Sequence, residues 1–367
     1  MFESLPYMIL QQYCWVIVSL LGGIVILLMF VQGGQTMIYV VGKTPEERKS
    51  ITDALGRKWT MCFVALAAFA GMLFACFPLF CVASFGGARF LWILILSCFV
   101  LQTVLYEFRA LQDVLPGKKT YPLLLFFTGI TGMILLGTSM GMFFNGAMFS
   151  INEMNIARWE TPYRGIEAIL NPHNLLLGVT VFFLARVLAL LFFLNNIKNE
   201  QVVTRSKIRL LRNYVTFSLC FVVFLTWLFM KHGYYYNPAT EEKEVSMQAH
   251  KYLQNLLAMP AVLAMLVAGI ASTLTGVVRT LTNSRFTGGI WYAGVGAVIT
   301  AWALFLIAGF NNTSYYPSLY DLPDSLTIEN SSSGYYMLTA MGYLSLVIPV
   351  VIALVFWKWR RKNKQKK

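Results

Sequence analysis

Nine stretches of this chain run uncharged or nearly so for about twenty residues each, and nothing else in the sequence constrains the fold as strongly. A helix of that length crosses the hydrocarbon core of a bilayer. The stretches centre on 13–31, 59–83, 90–106, 121–144, 175–194, 214–230, 256–278, 290–310 and 337–357. They predict an all-α polytopic membrane protein with about nine transmembrane helices. Charged residues make up only 12 % of the 367, about half the share of a soluble domain. Such a chain has too little charge to cover a water-facing surface.

The loops give an orientation. Of the 29 Lys and Arg residues, 22 fall in alternate loops and the C-terminal tail 358–367, 6 fall in the opposite set, and Arg186 lies within a span. The positive-inside rule assigns the richer set, and with it the C-terminus, to the cytoplasm, and leaves the N-terminus outside. The formal net charge of +13 is thereby explained without nucleic acid, because the basic residues sit in short loops and form no single stripe. No cleavable signal peptide is expected, since the N-terminus carries Glu3 and no basic segment.

Local signals refine the picture. The uncharged stretch 4–42 is too long for one upright span; it reads as a long helix that projects from the membrane or bends at Gly33-Gly34. Thr44-Pro45-Glu46-Glu47 is a capping signal, and Ile51, Ala54 and Leu55 form an apolar stripe, so a surface amphipathic helix is predicted there. Gly137-x-x-x-Gly141 and Ala264-x-x-x-Ala268 offer close-packing seams. Pro78, Pro260 and Pro349 predict kinks. The outer loops 149–174 and 311–336 are too short to fold alone.

Few residues could carry chemistry. All six cysteines lie in apolar runs without CxxC spacing, as small buried hydrophobes do. His173, His232 and His250 fall in or beside outer loops, so no mid-span haem ligand is expected, and no metal site. Polar groups within spans are functional candidates by default. They are Gln32 and Gln35 in the first span, Glu107 and Arg109 closing the third, and Arg186 in the fifth, which needs an acid, helix-end carbonyls or an anionic lipid as partner. Residues alone leave a transporter, a channel and a respiratory subunit open.

The order of short segments narrows this. They are Phe30 to Met37 (FVQGGQTM), followed by Gly42 to Lys49 (GKTPEERK), Gly56 to Trp59 (GRKW), Phe74 to Pro78 (FACFP), Tyr106 to Arg109 (YEFR), Asn171-Pro172, and the basic end of the ninth span. In that order and spacing the chain resembles subunit II of cytochrome bd quinol oxidases, over most of its length and most densely over the first 110 residues.

The resemblance implies two four-helix bundles, spans 1–4 within 1–150 and spans 5–8 within 151–310, with a peripheral ninth span and basic tail in 311–367. It implies a bacterial inner-membrane heterodimer with a haem-bearing subunit I, which holds haems b and d, oxidises quinol and reduces dioxygen to water. This chain would then bind no haem, with room for a structural quinone and, in the complex, a small single-span subunit. It would support the fold and line a proton path, with no catalytic residue of its own. Relatives commonly carry aspartates where this chain has Gln32 and Gln35, and another after the tryptophan, where Trp59 is followed by Thr60. An amide cannot exchange a proton near neutral pH but can hold water. The expected path is therefore Gln32, Gln35, Thr60 and Glu107, with Glu107 the remaining carboxylate. Trp59, Arg109 and Arg186 are expected quinone or lipid contacts. The competing readings are a secondary transporter, which wants midplane sites on inverted repeats, and a scaffold without a redox partner.

Overall fold

The computed structural model describes residues 2–107, 120–152, 154–237, 245–283 and 285–364, excluding the side chains of 120 and 351–364. Arg109 lies outside the described residues. Among these residues eight helices are long and apolar enough to cross a membrane. A ninth helix, Tyr335–Lys364, carries a shorter described apolar segment, Tyr335–Val350.

The first span is helical from Tyr7 to Gln35 but breaks at Met29, giving α1 (Tyr7–Leu28) and α2 (Phe30–Gln35), with a further turn α3 (Ile38–Val41). The expected bend at Gly33-Gly34 is not where the helix breaks. Both glycines are packing positions instead. A Cβ on Gly33 would lie 2.3 Å from the Ala185 carbonyl, and one on Gly34 would lie 2.6 Å from Leu55 Cδ2.

The capping signal at Thr44 opens α4 (Pro45–Cys76). Thr44 Oγ1 accepts from Glu47 N, and Glu47 Oε2 accepts from Thr44 N at 3.1 Å. The expected surface helix is thus the first part of a 32-residue helix that includes the second span. At 1.5 Å per residue it is about 48 Å long, so its start projects beyond the hydrocarbon. Ile51, Ala54 and Leu55 are buried, and Glu47 Oε2 accepts from Arg205 Nη1 at 2.7 Å.

Pro78 starts a short helix, α5 (Pro78–Phe80), which runs into a π-helical turn, Cys81–Gly87. Next come α6 (Arg89–Glu107), α7 (Thr120–Asn145), α8 (Pro172–Asn196), α9 (Glu200–Met230), α10 (Lys251–Ala258), α11 (Pro260–Thr282) and α12 (Gly289–Gly309). The short α13 (Ile328–Ser331) and the 30-residue α14 (Tyr335–Lys364) end the described chain. Pro260 occupies the first position of α11, where the missing N–H costs nothing; it divides α10 from α11 and kinks neither. Pro349 does lie inside α14.

Close approach holds the bundle together. Gly137 meets Gly178 and Gly141 meets Asn174, so the predicted glycine seam joins α7 to α8. Ala264 and Ala268 are exposed and form no such seam. The tight partner of α11 is α12, through Gly269 and Gly276 against the backbones of Gly296 and Gly289. Helix α8 is the most enclosed span, and Val187–Leu194 are all nearly inaccessible. An apolar helix covered on every side is enclosed by protein.

The outer loops dock on one another. Two antiparallel hairpins, β1 (Phe149–Ile151) with β2 (Ala157–Trp159) and β3 (His232–Tyr236) with β4 (Val245–Ala249), meet the segment before α13 through bridges Ala147–Ser318 and Tyr235–Thr313. Trp15, Tyr315, Phe77 and Phe143 stack beneath them, with Trp15 and Tyr315 centroids 4.5 Å apart.

Candidate functional site

A buried polar cluster crosses α2, α4 and α6. Gln32, Gln35 and Gln102 are each fully buried. Gln32 Nε2 donates to Gln102 Oε1 at 3.2 Å, and Trp59 Nε1 donates to the same oxygen at 3.4 Å. Cys62 Sγ donates to Gln32 Oε1 at 3.3 Å. Gln102 Nε2 and both amide atoms of Gln35 have no hydrogen-bond partner among the described residues. Gly129 on α7 makes the room, since a Cβ there would lie 2.9 Å from Gln35 Oε1. Buried polar atoms are almost always satisfied by protein or water, so an orphaned amide marks a place suited to water.

The cluster continues toward α8. Thr36 Oγ1 donates to Gly33 O at 2.7 Å and accepts from Arg186 Nε at 2.8 Å. The Arg186 guanidinium lies 4.3 Å from the ring centre of Phe182, within the cation–π range. No acid pairs with Arg186 among the described residues.

The structure therefore gathers Gln32, Gln35, Trp59 and, through Thr36, Arg186. Thr60 and Glu107 are exposed on the outside of α4 and α6, away from the amides. Trp59 is buried, with Phe63 stacked at 5.6 Å and Tyr106 at 6.2 Å. Gln102, Thr36 and Cys62 went unnoticed in the sequence. Gln102 carried a usable signal, being the lone amide within the apolar run 90–106. The others look like ordinary small span residues, and only the fold brings them to the amides.

A second buried polar group lies at the opposite end of α7. Lys231 Nζ donates to Phe144 O and Asn145 Oδ1, each at 2.6 Å. Asn145 Nδ2 donates to Gly141 O and Asn174 Oδ1, and Nδ2 lies 2.8 Å from His173 Nδ1. His173 stacks on Phe224 at 4.8 Å. A cation on the terminal carbonyls complements the helix dipole. Burial holds the Lys231 ammonium down at about 8, from an ordinary 10.5. The unfolded chain keeps that proton up to about 10.5, so stability rises with pH between those values. The contribution is complete above about 10.5 and is lost as pH falls through about 8. Thermal unfolding of the detergent-solubilised protein between pH 7 and 11 should show this rise, and Lys231→Met should remove it.

Among the described residues no group of three His, Cys, Asp or Glu side chains could hold a metal ion. The sequence profile described as "Cytochrome bd terminal oxidase subunit II" matches residues 10–361. The chain belongs to that family. Subunit II members are parts of a cytochrome bd quinol oxidase, and the oxidoreductase activity lies with the complex. The chain is similar to the probable cytochrome oxidase subunit 2 of Haemophilus influenzae, 26 % identical over 97 % of this chain and 94 % of that one. It is also similar to the cytochrome bd-I ubiquinol oxidase subunit 2 of Escherichia coli, 23 % identical over 96 % and 94 %. Among solved structures, the bd oxidase from Geobacillus thermodenitrificans shares the fold, with a TM-score of 0.57, 13 % identity and 96 % coverage of both chains. These likenesses favour the subunit II reading and none favours a transporter.

Proposed function

We propose that this chain is the haem-free subunit II of a quinol-oxidising, dioxygen-reducing bd oxidase, and that its amide cluster supports a water-borne proton path. The partner is a haem-bearing subunit I, in which haems b and d supply the electron chemistry. The observation that carries the path is the fully buried Gln35, whose amide atoms have no partner among the described residues. With Gln32 and Gln102 it offers donors and acceptors that orient water without holding a charge. Glu107 and Thr60 stand apart from these amides, so on this reading they act at the chain's surface, Glu107 as the proton-exchanging group at the end of α6.

The haem-free assignment is supported by the histidines. His232 and His250 are exposed, and the His173 ring is stacked against Phe224 at 4.8 Å with Nδ1 at Asn145. The basic loops support a cytoplasmic C-terminus and an outer N-terminus. A two-bundle division at 150 and 310, a small third subunit and a structural quinone belong to the same reading; Trp59, enclosed by Phe63 and Tyr106, serves the amide cluster in it, and Arg186 serves lipid.

Purification from native membranes in mild detergent tests the assignment. A haem-bearing partner should accompany the chain and give a visible spectrum with a red-absorbing chlorin band. A colourless chain purifying alone would overturn it.

A further inference from the structure

We propose that Trp59 is a positioning residue for the amide cluster: its indole N–H turns Gln102 so that water beside Gln35 is held by its oxygen. This deepens the water-borne path above and rests on that reading for its link to turnover.

An indole N–H donates a hydrogen bond and never accepts one. Trp59 Nε1 lies 3.4 Å from the Gln102 side chain, so the Gln102 atom that faces it is the carbonyl oxygen, Oε1. Gln32 meets the same oxygen at 3.2 Å. An oxygen needs a donor there, so Gln32 offers Nε2. Its own Oε1 then faces Cys62 Sγ at 3.3 Å. A thiol donates and accepts weakly, so Cys62 follows Gln32 and does not direct it. The two ends of an amide are told apart by the network around them, and one donor-only group settles both Gln102 and Gln32. Packing holds the indole in turn. Trp59 is 7 % exposed, and its ring lies between Phe63 on its own helix and Tyr106 on α6.

With Oε1 engaged twice, Gln102 has only its NH2 group to offer elsewhere. That group faces α7. A Cβ on Gly132 would lie 3.9 Å from Gln102 Nε2, and one on Gly129 would lie 2.9 Å from Gln35 Oε1. Residues three apart on a helix share a face, with about 5–6 Å between their Cβ positions. The two glycines therefore leave one notch on α7, with the Gln102 donors at one end and the Gln35 amide at the other. Both side chains are fully buried. Neither Gln102 Nε2 nor the Gln35 amide has a partner among the described residues. Two buried amides that face one notch without reaching each other are suited to a water bridge.

The orientation decides what such water can do. A water whose oxygen accepts from Gln102 N–H, and which donates to Gln35 Oε1, keeps one lone pair and one hydrogen for its neighbours. It can therefore both receive a proton and pass one on. Two amide donors would take both of its lone pairs, and two amide oxygens would take both of its hydrogens; either ends the chain. Trp59 prevents Gln102 from offering its oxygen, and Gln35 turns to complement it. Without the indole N–H both amides turn freely, and the blocked combinations become accessible.

Cryo-electron microscopy of the intact complex at a resolution that shows water tests this, together with infrared difference spectra in ordinary and oxygen-18 water. Wild type should show water within hydrogen-bond reach of Gln102 Nε2 and Gln35, and an isotope-sensitive O–H band. Gln35→Leu should lose that band, which assigns it to this site. Trp59→Phe keeps an aromatic ring without the donor. It should lose the band and lower kcat for quinol-driven oxygen consumption several-fold, with KM for quinol unchanged. Trp59→His, whose ring N–H can donate, should recover part of both. No water at the wild-type site overturns the proposal whether or not the variants fold. So does a Trp59→Phe complex that keeps the band, or a Trp59→His complex as impaired as Trp59→Phe. A band lost with turnover unchanged upholds the positioning role and removes the site from the proton path, so the two readings fail separately.

Discussion

Complexes carrying Gly33→Val should fail to assemble, or should unfold far below wild type. A side chain at that position begins 2.3 Å from the Ala185 carbonyl and 2.7 Å from Arg186 N. Both obstacles are backbone, so no rotamer change can clear them. Overpacking a core usually costs about 1–3 kcal/mol, and a clash with the backbone of an enclosed helix belongs at or above the top of that range. Separating α2 from α8 would also pull Thr36 from Arg186. Gly71→Val provides the control, because nothing lies within 4 Å of a Cβ there. Yield of coloured complex and its thermal unfolding midpoint are the readouts. A Gly33→Val complex as stable as Gly71→Val would show that α2 and α8 do not meet as described.

The second large effect separates the two roles of the amides. Gln102→Leu leaves Gln32 Nε2 and Trp59 Nε1 without their shared acceptor. Each stranded buried donor costs about 1–3 kcal/mol, so the complex should lose stability and oxygen consumption together. Gln35→Leu breaks no hydrogen bond to a described residue and should leave the unfolding midpoint near wild type. If Gln35 orients water for proton delivery, quinol-driven oxygen consumption should still fall several-fold. Unchanged turnover and proton uptake in Gln35→Leu would remove it from any path. A Glu107→Gln variant measured alongside reports whether the exposed carboxylate feeds that path.

Much of the fold was legible because membrane spans write themselves as long apolar runs. The capping box at Thr44 was equally plain, since its two hydrogen bonds depend on residues three apart. What followed Thr44 was not: the polar stretch 45–58 looks like a separate surface helix, yet it runs unbroken into the second span, with Glu47 paired to Arg205. Gly33 and Gly34 were read as a bend because glycine tolerates one. Their actual use, close approach to α8 and Leu55, depends on a neighbour about 150 residues away for Gly33. Ala264 and Ala268 have the spacing of a seam but face outward, while the true seam on α11 uses glycines seven apart. At the site, Gln32, Gln35 and Arg186 stood out because polar groups are rare in spans. Thr36 and Cys62 did not, because their chemistry appears only when three helices converge.

The enclosure of α8 bears on how the protein is made. A segment this apolar leaves the translocon for lipid readily as a lone helix, during synthesis. In the finished protein it has exchanged nearly all of that lipid for protein on every face, an exchange that follows insertion and is driven by packing. The helices synthesised after it, α9, α11 and α12, therefore have to close around a strand of chain already resident in the bilayer. Substitutions along Val187–Leu194 should accordingly strike at late association of the subunit, with membrane entry left intact.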